Sequence, residues 1–418
     1  MITEKANIKK IKISDFPEEV DEHNNIKIYD ETSWENQLAT LSQYLHNNDL
    51  FEDKEKKQEI VSAIRDFLER KKDTEAQEIT DEYAAIVAEH PLEYNLFSDF
   101  YNVPFPNTQS NGHTMIDLFA GIGGIRLPFN ELGYKCVFSS EWDKHAQQTY
   151  FANFGEMPFG DITKESTKRY IPKHFDLLLA GFPCQAFSIM GKMKGFDDTR
   201  GTMFFEVATI LERHHPEAIL LENVKQLTTH DHGKTFSTIL RILDELGYHV
   251  KWKVLNALDF GLPQKRERVI IVGFRDSRRC EAFSFDFEKK PYNLKDILED
   301  NDKVDPSLFA SDMILLKRQR QTEGKKIFYP SIWHENKAGN VSVLNYACAL
   351  RTGASYNYLL VNGYRRPSSR ELLRLQGFPD NFRIAVSHGE IRKQTGNSVA
   401  VPMIREIAKK IDYILNNI

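Results

Sequence analysis

From residue 113 onward, short apolar runs alternate with stretches whose apolar residues recur every three or four positions. MIDLFA, KCVFSS, DLLLAG, AILLEN, HVKWKVL and RVIIVGF read as strands, and FFEVATILERHH and FSTILRILDELG, lying between them, read as helices. Such alternation predicts an α/β fold: a largely parallel sheet, helices on both faces, and ligands at the carboxyl ends of the strands. Between about 276 and 364 the alternation lapses and the chain becomes basic and irregular; it resumes with SRELLRLQGF. A last helix should carry Ile404, Ile407, Ile411 and Leu415 on one face. The simplest account is an α/β domain in two parts, 113–275 and 365–418, interrupted by a module at 276–364.

Residues 1–112 read as a separate, mostly helical extension. Trp34, Leu38, Leu41 and Leu45 share one helical face, and Ile60, Ile64, Phe67 and Leu68 another. VPFPNTQSNG (103–112), with two prolines and a polar run, reads as a linker.

A length of 418 residues suits two or three folded units, and 41% hydrophobic with 28% charged residues is ordinary for a soluble globular chain. No run approaches the roughly eighteen apolar residues of a membrane span, and MITEKANIKK lacks an apolar signal core, so a cytoplasmic protein without membrane association is expected. The four cysteines, at 136, 184, 280 and 348, form no C-x-x-C pair, which excludes a zinc knuckle, argues against a disulfide framework and leaves lone-thiol chemistry. His230 and His232 around Asp231, and the pair His214 and His215, read as surface polar residues; no metal is expected. The net charge of −5 does not suggest a nucleic-acid binder, but the basic runs KRQRQTEGKK (317–326), QKRER (264–268) and RDSRR (275–279) could together track phosphates.

Two clusters carry the chemistry. The turn Asp117-Leu-Phe-Ala-Gly121-Ile-Gly123-Gly124 follows a strand and precedes a helix, so its backbone can approach a ligand. A dinucleotide fingerprint needs a third glycine where Arg126 stands, which disfavours NAD. Glu141, twenty residues beyond Gly121, can bind a ribose diol; Trp142 can stack on adenine or pack in the core; Asp161 ends a third short strand. Acids without a lysine or arginine at the turn suit a phosphate-free ligand such as S-adenosylmethionine. In the second cluster, Gly181-Phe-Pro183-Cys184-Gln185 puts a thiol at the carboxyl edge of the sheet, a candidate nucleophile. Glu222 ends the next strand, where burial would raise its pKa, and QKRER brings guanidinium groups to the same edge.

In order and spacing, FAGIGG, EWD, GDI, GFPCQAFS, ENV, QKRER, RLQGFP and QTGNSVAVP resemble the motif set of bacterial DNA cytosine-5 methyltransferases of restriction-modification systems. The resemblance is close over 113–275 and 363–404, positional over 276–362, and does not reach 1–112 in detail. It implies a Rossmann-like S-adenosylmethionine-dependent methyltransferase domain with a small inserted target-recognition domain. Cofactor would be held by Asp117, Phe119, Gly121, Gly123, Gly124, Glu141, Trp142, Asp161, Ile162, Asn397 and Ser398. Pro183 and Cys184 would form the nucleophile turn, Glu222 would meet the cytosine ring, and Arg268, with Arg266 in its cluster, the ring carbonyl. Gln185, Ser188, Arg200, Gln264 and Thr352 would contact duplex DNA, and the loop 188–202 would close over a flipped base on Gly191, Gly195 and Gly201.

The resemblance further implies a monomer and the possibility of a cognate restriction endonuclease as functional partner. The competing readings are an RNA cytosine-5 methyltransferase, disfavoured by the long basic insert, and a non-catalytic DNA-binding regulator housed in 1–112, where no basic recognition helix is visible.

Overall fold

The computed structural model describes residues 103–106, 110–183 and 203–418, together with Ala39. The helical extension expected in 1–112 therefore lies almost wholly outside the described residues, as do Cys184, Gln185, Ser188, Arg200 and the loop glycines.

The alternating region folds as its periodicity requires. Strand β1 (Thr114–Leu118) leads through the glycine turn to α1 (Arg126–Glu131), then β2 (Lys135–Ser140), α2 (Lys144–Phe154), the single turn α3 (Glu165–Lys168) and β3 (Leu177–Ala180). Helix α4 (Met203–His214), β4 (Ala218–Val224), α5 (Lys234–Glu245), β5 (His249–Asn256), the two-residue β6 (Gln264–Lys265) and β7 (Glu267–Phe274) follow. Six strands form one sheet in the order β2-β1-β3-β4-β7-β5. The pairs among β2, β1, β3 and β4 are parallel, whereas β7 runs antiparallel to both β4 and β5. The expected third strand before Asp161 shrinks to one parallel bridge, Ser140 to Phe159.

Successive side chains of a strand point to opposite faces, and the core divides accordingly. Ile116, Leu178, Ile219 and Ile271 pack with Val207 and Leu211 of α4 and Ile239 and Ile242 of α5. Met115, Leu177, Leu220 and Ile270 face the other way, onto Phe129 of α1 and onto Met403, Ile407 and Ile411 of the last helix, α10 (Val401–Asn417). The predicted stripe Ile404, Ile407, Ile411 and Leu415 is buried along its whole length.

The interrupting segment has more order than its sequence suggests. Helix α6 (Ser277–Ala282) leads into Phe283 and Phe285, and these with Cys280 still pack on the large sheet. Helix α7 (Asp312–Gln321) precedes β8 (Ile332–Glu335), β9 (Val341–Leu344), β10 (Ala347–Cys348) and β11 (Leu359–Val361). β11, β8 and β9 make a small antiparallel sheet, while β10 pairs with β6. Helices α8 (Ser369–Gln376) and α9 (His388–Asn397) follow. The start of the expected linker is also packed: Phe105 donates its N–H to Asn153 O at 3.0 Å and lies 6.0 Å from the rings of Phe154 and Phe382.

Several charges of the basic runs are spent locally rather than left for phosphates. Lys317 and Arg318 both pair with Glu335, Arg278 with Asp276, and Arg279 with Glu217. Among the described residues, no helix is long and apolar enough to cross a membrane. No group of three or more His, Cys, Asp or Glu among them is arranged to hold a metal.

A buried ion pair just before α8 also reaches the interrupting segment, since Arg365 donates to Asn301 Oδ1 at 2.8 Å and to Glu299 O at 3.1 Å. Arg365 donates to both oxygens of Glu371, at 2.7 and 2.8 Å, and neither side chain is exposed beyond 1%. Glu371 also closes the capping box of α8 with Ser368. Arg365→Ala would strand a buried carboxylate and should destabilise the protein by about 3–5 kcal/mol. Urea unfolding measures this, and Arg365→Met with Glu371→Leu should recover much of the loss.

Candidate active site

Two sets of side chains converge at the carboxyl ends of β1 to β4. The first is built on the turn after β1. Phe119, Gly121 and Gly123 all have positive φ, at 54°, 56° and 81°, so the chain coils back on itself there. Positive φ in a bulky phenylalanine is a strained conformation that persists only where its surroundings enforce it. The carboxylate of Glu141 supplies part of that enforcement: Oε2 accepts the N–H of Gly121 and Oε1 that of Asp143, both at 2.8 Å. Burial nevertheless pushes the Glu141 pKa upward. Trp142 is 79% exposed, which removes the core-packing alternative and leaves its ring free beside the turn. Asp161 accepts the N–H and hydroxyl of Thr163, and Ile162 is buried in the core beside it.

From the far end of the chain, Asn397 closes α9 as an exposed residue and Ser398 lies against the glycine turn. A Cβ on Gly124 would come within 2.7 Å of Ser398 Oγ and 3.0 Å of Val399 Cγ2, so only glycine lets the segments meet without adjustment. Ser398 Oγ is itself buried with no hydrogen-bond partner among the described residues.

Asp117, expected at the cofactor, lies beneath the turn instead. It is 1% exposed, with its carboxyl against Tyr150, whose hydroxyl also accepts from Arg126 at 2.8 Å; Arg126 in turn pairs with Glu156 at 2.7 Å. The acid thus supports the turn from the core rather than opening onto it.

The second set lies at the edge shared by β3, β4 and β7. Ala180 pairs with Leu221, which places Gly181 next to Glu222. A Cβ on Gly181 would stand 3.6 Å from Glu222 Oε2. Phe182 is buried against Phe204, and its carbonyl accepts a 2.9 Å bond from Asn223 Nδ2; Pro183 is exposed. Sequence reasoning singled out Glu222 and passed over Asn223, which fixes the turn leading to Cys184. Because β7 runs against β4, its first residues reach the carboxyl edge, and Val224 pairs with Arg268. Arg268 Nε sits 2.9 Å from Glu222 Oε1 in an ion pair whose direction leaves that oxygen without a hydrogen bond. Burial raises the Glu222 pKa; Arg268 and Arg266 oppose the rise without cancelling it.

Gln264 and Arg266 turn away from this edge. Gln264 is fully buried: its amide donates to Leu375 O at 2.7 Å and its oxygen accepts Leu350 N at 3.1 Å, so it cannot be the DNA contact expected of it. Arg266 is also buried, its guanidinium donating to the carbonyls of Leu350 (3.2 Å), Gly396 (3.1 Å) and Ser398. With those donors committed to the backbone, Arg266 is placed to hold three segments together rather than to meet substrate. Thr352 is exposed, at a turn next to Gly396.

Comparison with known proteins decides the family. The model of the C-5 cytosine-specific DNA methylases matches residues 113–413. The chain belongs to this family. Type II methyltransferase M.NgoBI of Neisseria gonorrhoeae is 58% identical to it over 302 residues, covering 72% of this chain and 93% of the relative. Type II methyltransferase M.HaeII of Haemophilus aegyptius is likewise 58% identical, over 305 residues, 72% of this chain and 93% of the relative. The methylase also shares its fold with the Entamoeba histolytica methyltransferase EhMeth, at a TM-score of 0.55 and 17% identity over 74% of this chain and 99% of that one. It is a DNA cytosine-5 methyltransferase, with S-adenosylmethionine as methyl donor and DNA as substrate.

The buried acid beneath the methylase's turn gives a pH signature. Burial, offset by Arg126 and reinforced by Glu141, lifts Asp117 from 3.8 to about 7. A carboxyl whose folded pKa is raised stabilises the fold fully below its unfolded pKa and loses that contribution as pH climbs through the folded value. Wild-type stability should therefore fall between about pH 4 and 7 by on the order of a few kcal/mol through this group, whereas Asp117→Asn should flatten that limb. Denaturant melts across the pH series test it; parallel curves for the two proteins would refute it.

Proposed function

We propose that the Gly181–Pro183 turn, Glu222 and Arg268 form the base-binding and catalytic edge, with Cys184 as covalent nucleophile. The observation that carries this reading is the Glu222–Arg268 pair, 2.9 Å apart at the end of the sheet, beside the turn that leads into Cys184. Carbon 5 of cytosine is too electron-poor to attack a methyl group unaided. Addition of the Cys184 thiolate to carbon 6 moves electron density into the ring and makes carbon 5 nucleophilic. The proton that burial favours on Glu222 can be held at ring nitrogen 3, and Arg268 can donate to the ring carbonyl as charge builds there. Once carbon 5 is methylated, loss of its proton re-forms the 5,6 double bond and expels the Cys184 sulfur. A base inside a stacked duplex cannot reach this edge, so the cytosine must be extruded, at a cost of a few kcal/mol. The loop 188–202 would close over it, with Gln185, Ser188 and Arg200 touching DNA, and Thr352 would meet the backbone from the other side.

The glycine turn fits the cofactor. Ser398 Oγ is a buried polar atom with no partner among the described residues, Gly121 faces open space, and Trp142 is exposed beside the pinned Glu141 carboxylate. Phe119, Gly121, Gly123, Gly124, Glu141, Trp142, Asp161, Asn397 and Ser398 would hold S-adenosylmethionine, which when bound supplies an electrophilic methyl group. Asp117 would act through the turn rather than by contact. The names of the relatives support a restriction-modification setting, in which a cytoplasmic, monomeric enzyme protects the host's DNA from a cognate endonuclease. Target recognition is assigned to the interrupting segment 276–364.

Cys184→Ala should lower methylation of plasmid DNA below detection while changing S-adenosylmethionine affinity less than about threefold; substantial residual turnover would refute the nucleophile. Duplex DNA carrying 5-fluorocytosine at a position that bisulfite sequencing shows to be methylated should form an adduct that survives denaturation, since fluorine cannot leave as a proton does. Recovery of only free enzyme, with cofactor present, would overturn the covalent route.

A further inference from the structure

Where the small sheet meets α8 and α9, Leu350, Arg351, Tyr356, Tyr358, Arg366 and Arg392 line part of a cleft. Three guanidinium groups gather there. Arg366 and Arg392 lie over the ring of Tyr356, 4.2 and 4.7 Å from its centroid, and Arg351 lies 5.2 Å from that of Tyr358. Stacking on an aromatic face orients a guanidinium fork without consuming its donors. None of the three is ion-paired with a carboxylate among the described residues. Arg366 bonds Asn357 and the carbonyls of Ser307, Leu308 and Phe309, and Arg392 only the carbonyls of Ala354 and Ser355. The exposed Arg351 side chain has no hydrogen bond to a described residue. His388, at the same wall, is bound through Nδ1 to Ser369 Oγ at 2.9 Å, yet its buried Nε2 has no such partner. The carboxylate of Asp305 acts on this cluster through His388.

Like charges held this close repel one another, with Asp305 reaching them through His388 rather than by an ion pair, and a bound anion would relieve the repulsion. The location identifies the anion. Arg351 is bracketed by Leu350, whose backbone Gln264 and Arg266 hold at both ends, and by the exposed Thr352. An anion gripped here is therefore fastened to the strand that delivers Arg268 to the catalytic edge. We propose that this cleft, through Arg351, Arg392 and His388, clamps one backbone phosphate of the duplex and sets its register against the catalytic edge. The inference rests on the DNA methyltransferase reading above and adds a positioning site to it.

The test is the salt dependence of binding of the full chain to a short mixed-sequence duplex. Wild type should bind with a linear plot of log K against log salt, and Arg351→Gln should make that plot shallower by about 0.9, the amount for one phosphate on B-DNA. Arg351→Lys, which restores the charge, should return the slope to wild type. Slopes that coincide for wild type and Arg351→Gln, in proteins that melt alike, would overturn the clamp while plasmid methylation by wild type still upholds the reading beneath it. Failure of wild type to bind or methylate duplex DNA would remove both. Thermal protection of wild type, but not of Arg351→Gln, by inorganic phosphate with unchanged DNA slopes would assign the cleft to free phosphate and refute the backbone contact.

Discussion

The proposed catalytic edge depends on a strand that runs against its neighbours. In an all-parallel sheet the residues preceding β7 would emerge at the amino edge, a full strand length from Glu222. Reversal of β7 instead lays Arg268 beside Val224 and within 2.9 Å of the Glu222 carboxylate. Burial of that carboxyl raises its pKa, and the guanidinium opposes the rise. Carboxyl and guanidinium are thus brought together from two strands, and neither strand could make the pair alone.

A second constraint keeps this edge in one piece although its parts are far apart in sequence. Gln264 and Arg266, two residues apart, bond Leu350, Leu375, Gly396 and Ser398, while Gln376 donates to Thr395 O. Each of these groups would cost about 1–3 kcal/mol if buried without its partner, so the junction is strongly specified. Through it the segment before β7, the interrupting segment and the ends of α8 and α9 share one buried polar network.

Much of this was legible in the chain. Strand and helix periodicity located the sheet, because burial on both faces leaves apolar runs that punctuation by glycine and polar turns makes distinct. Glu222 and Arg268 could be named from motifs. The direction of β7 could not, since an apolar run such as RVIIVGF reads the same in either orientation, and the expectation of a largely parallel sheet missed it. Gln264 and Asp117 were misassigned for a related reason: a polar residue in a motif can be kept for contact with ligand or for holding the backbone beneath it. Only burial separates the two, and both are at most 1% exposed.

Charge was the least legible quantity. Runs such as KRQRQTEGKK and RDSRR look like nucleic-acid surfaces, yet Glu335, Asp276 and Glu217, most of them distant in sequence, neutralise much of them. Arg351, Arg366 and Arg392 stand apart in sequence and in no run, yet they meet around Tyr356 and Tyr358 with no carboxylate among the described residues paired to them. Uncompensated charge brought together by folding outweighs a greater density of charge along the chain, because a phosphate responds to the local field and not to composition. A protein with a net charge of −5 can therefore hold local positive clusters where arginines among its described residues are left without acids.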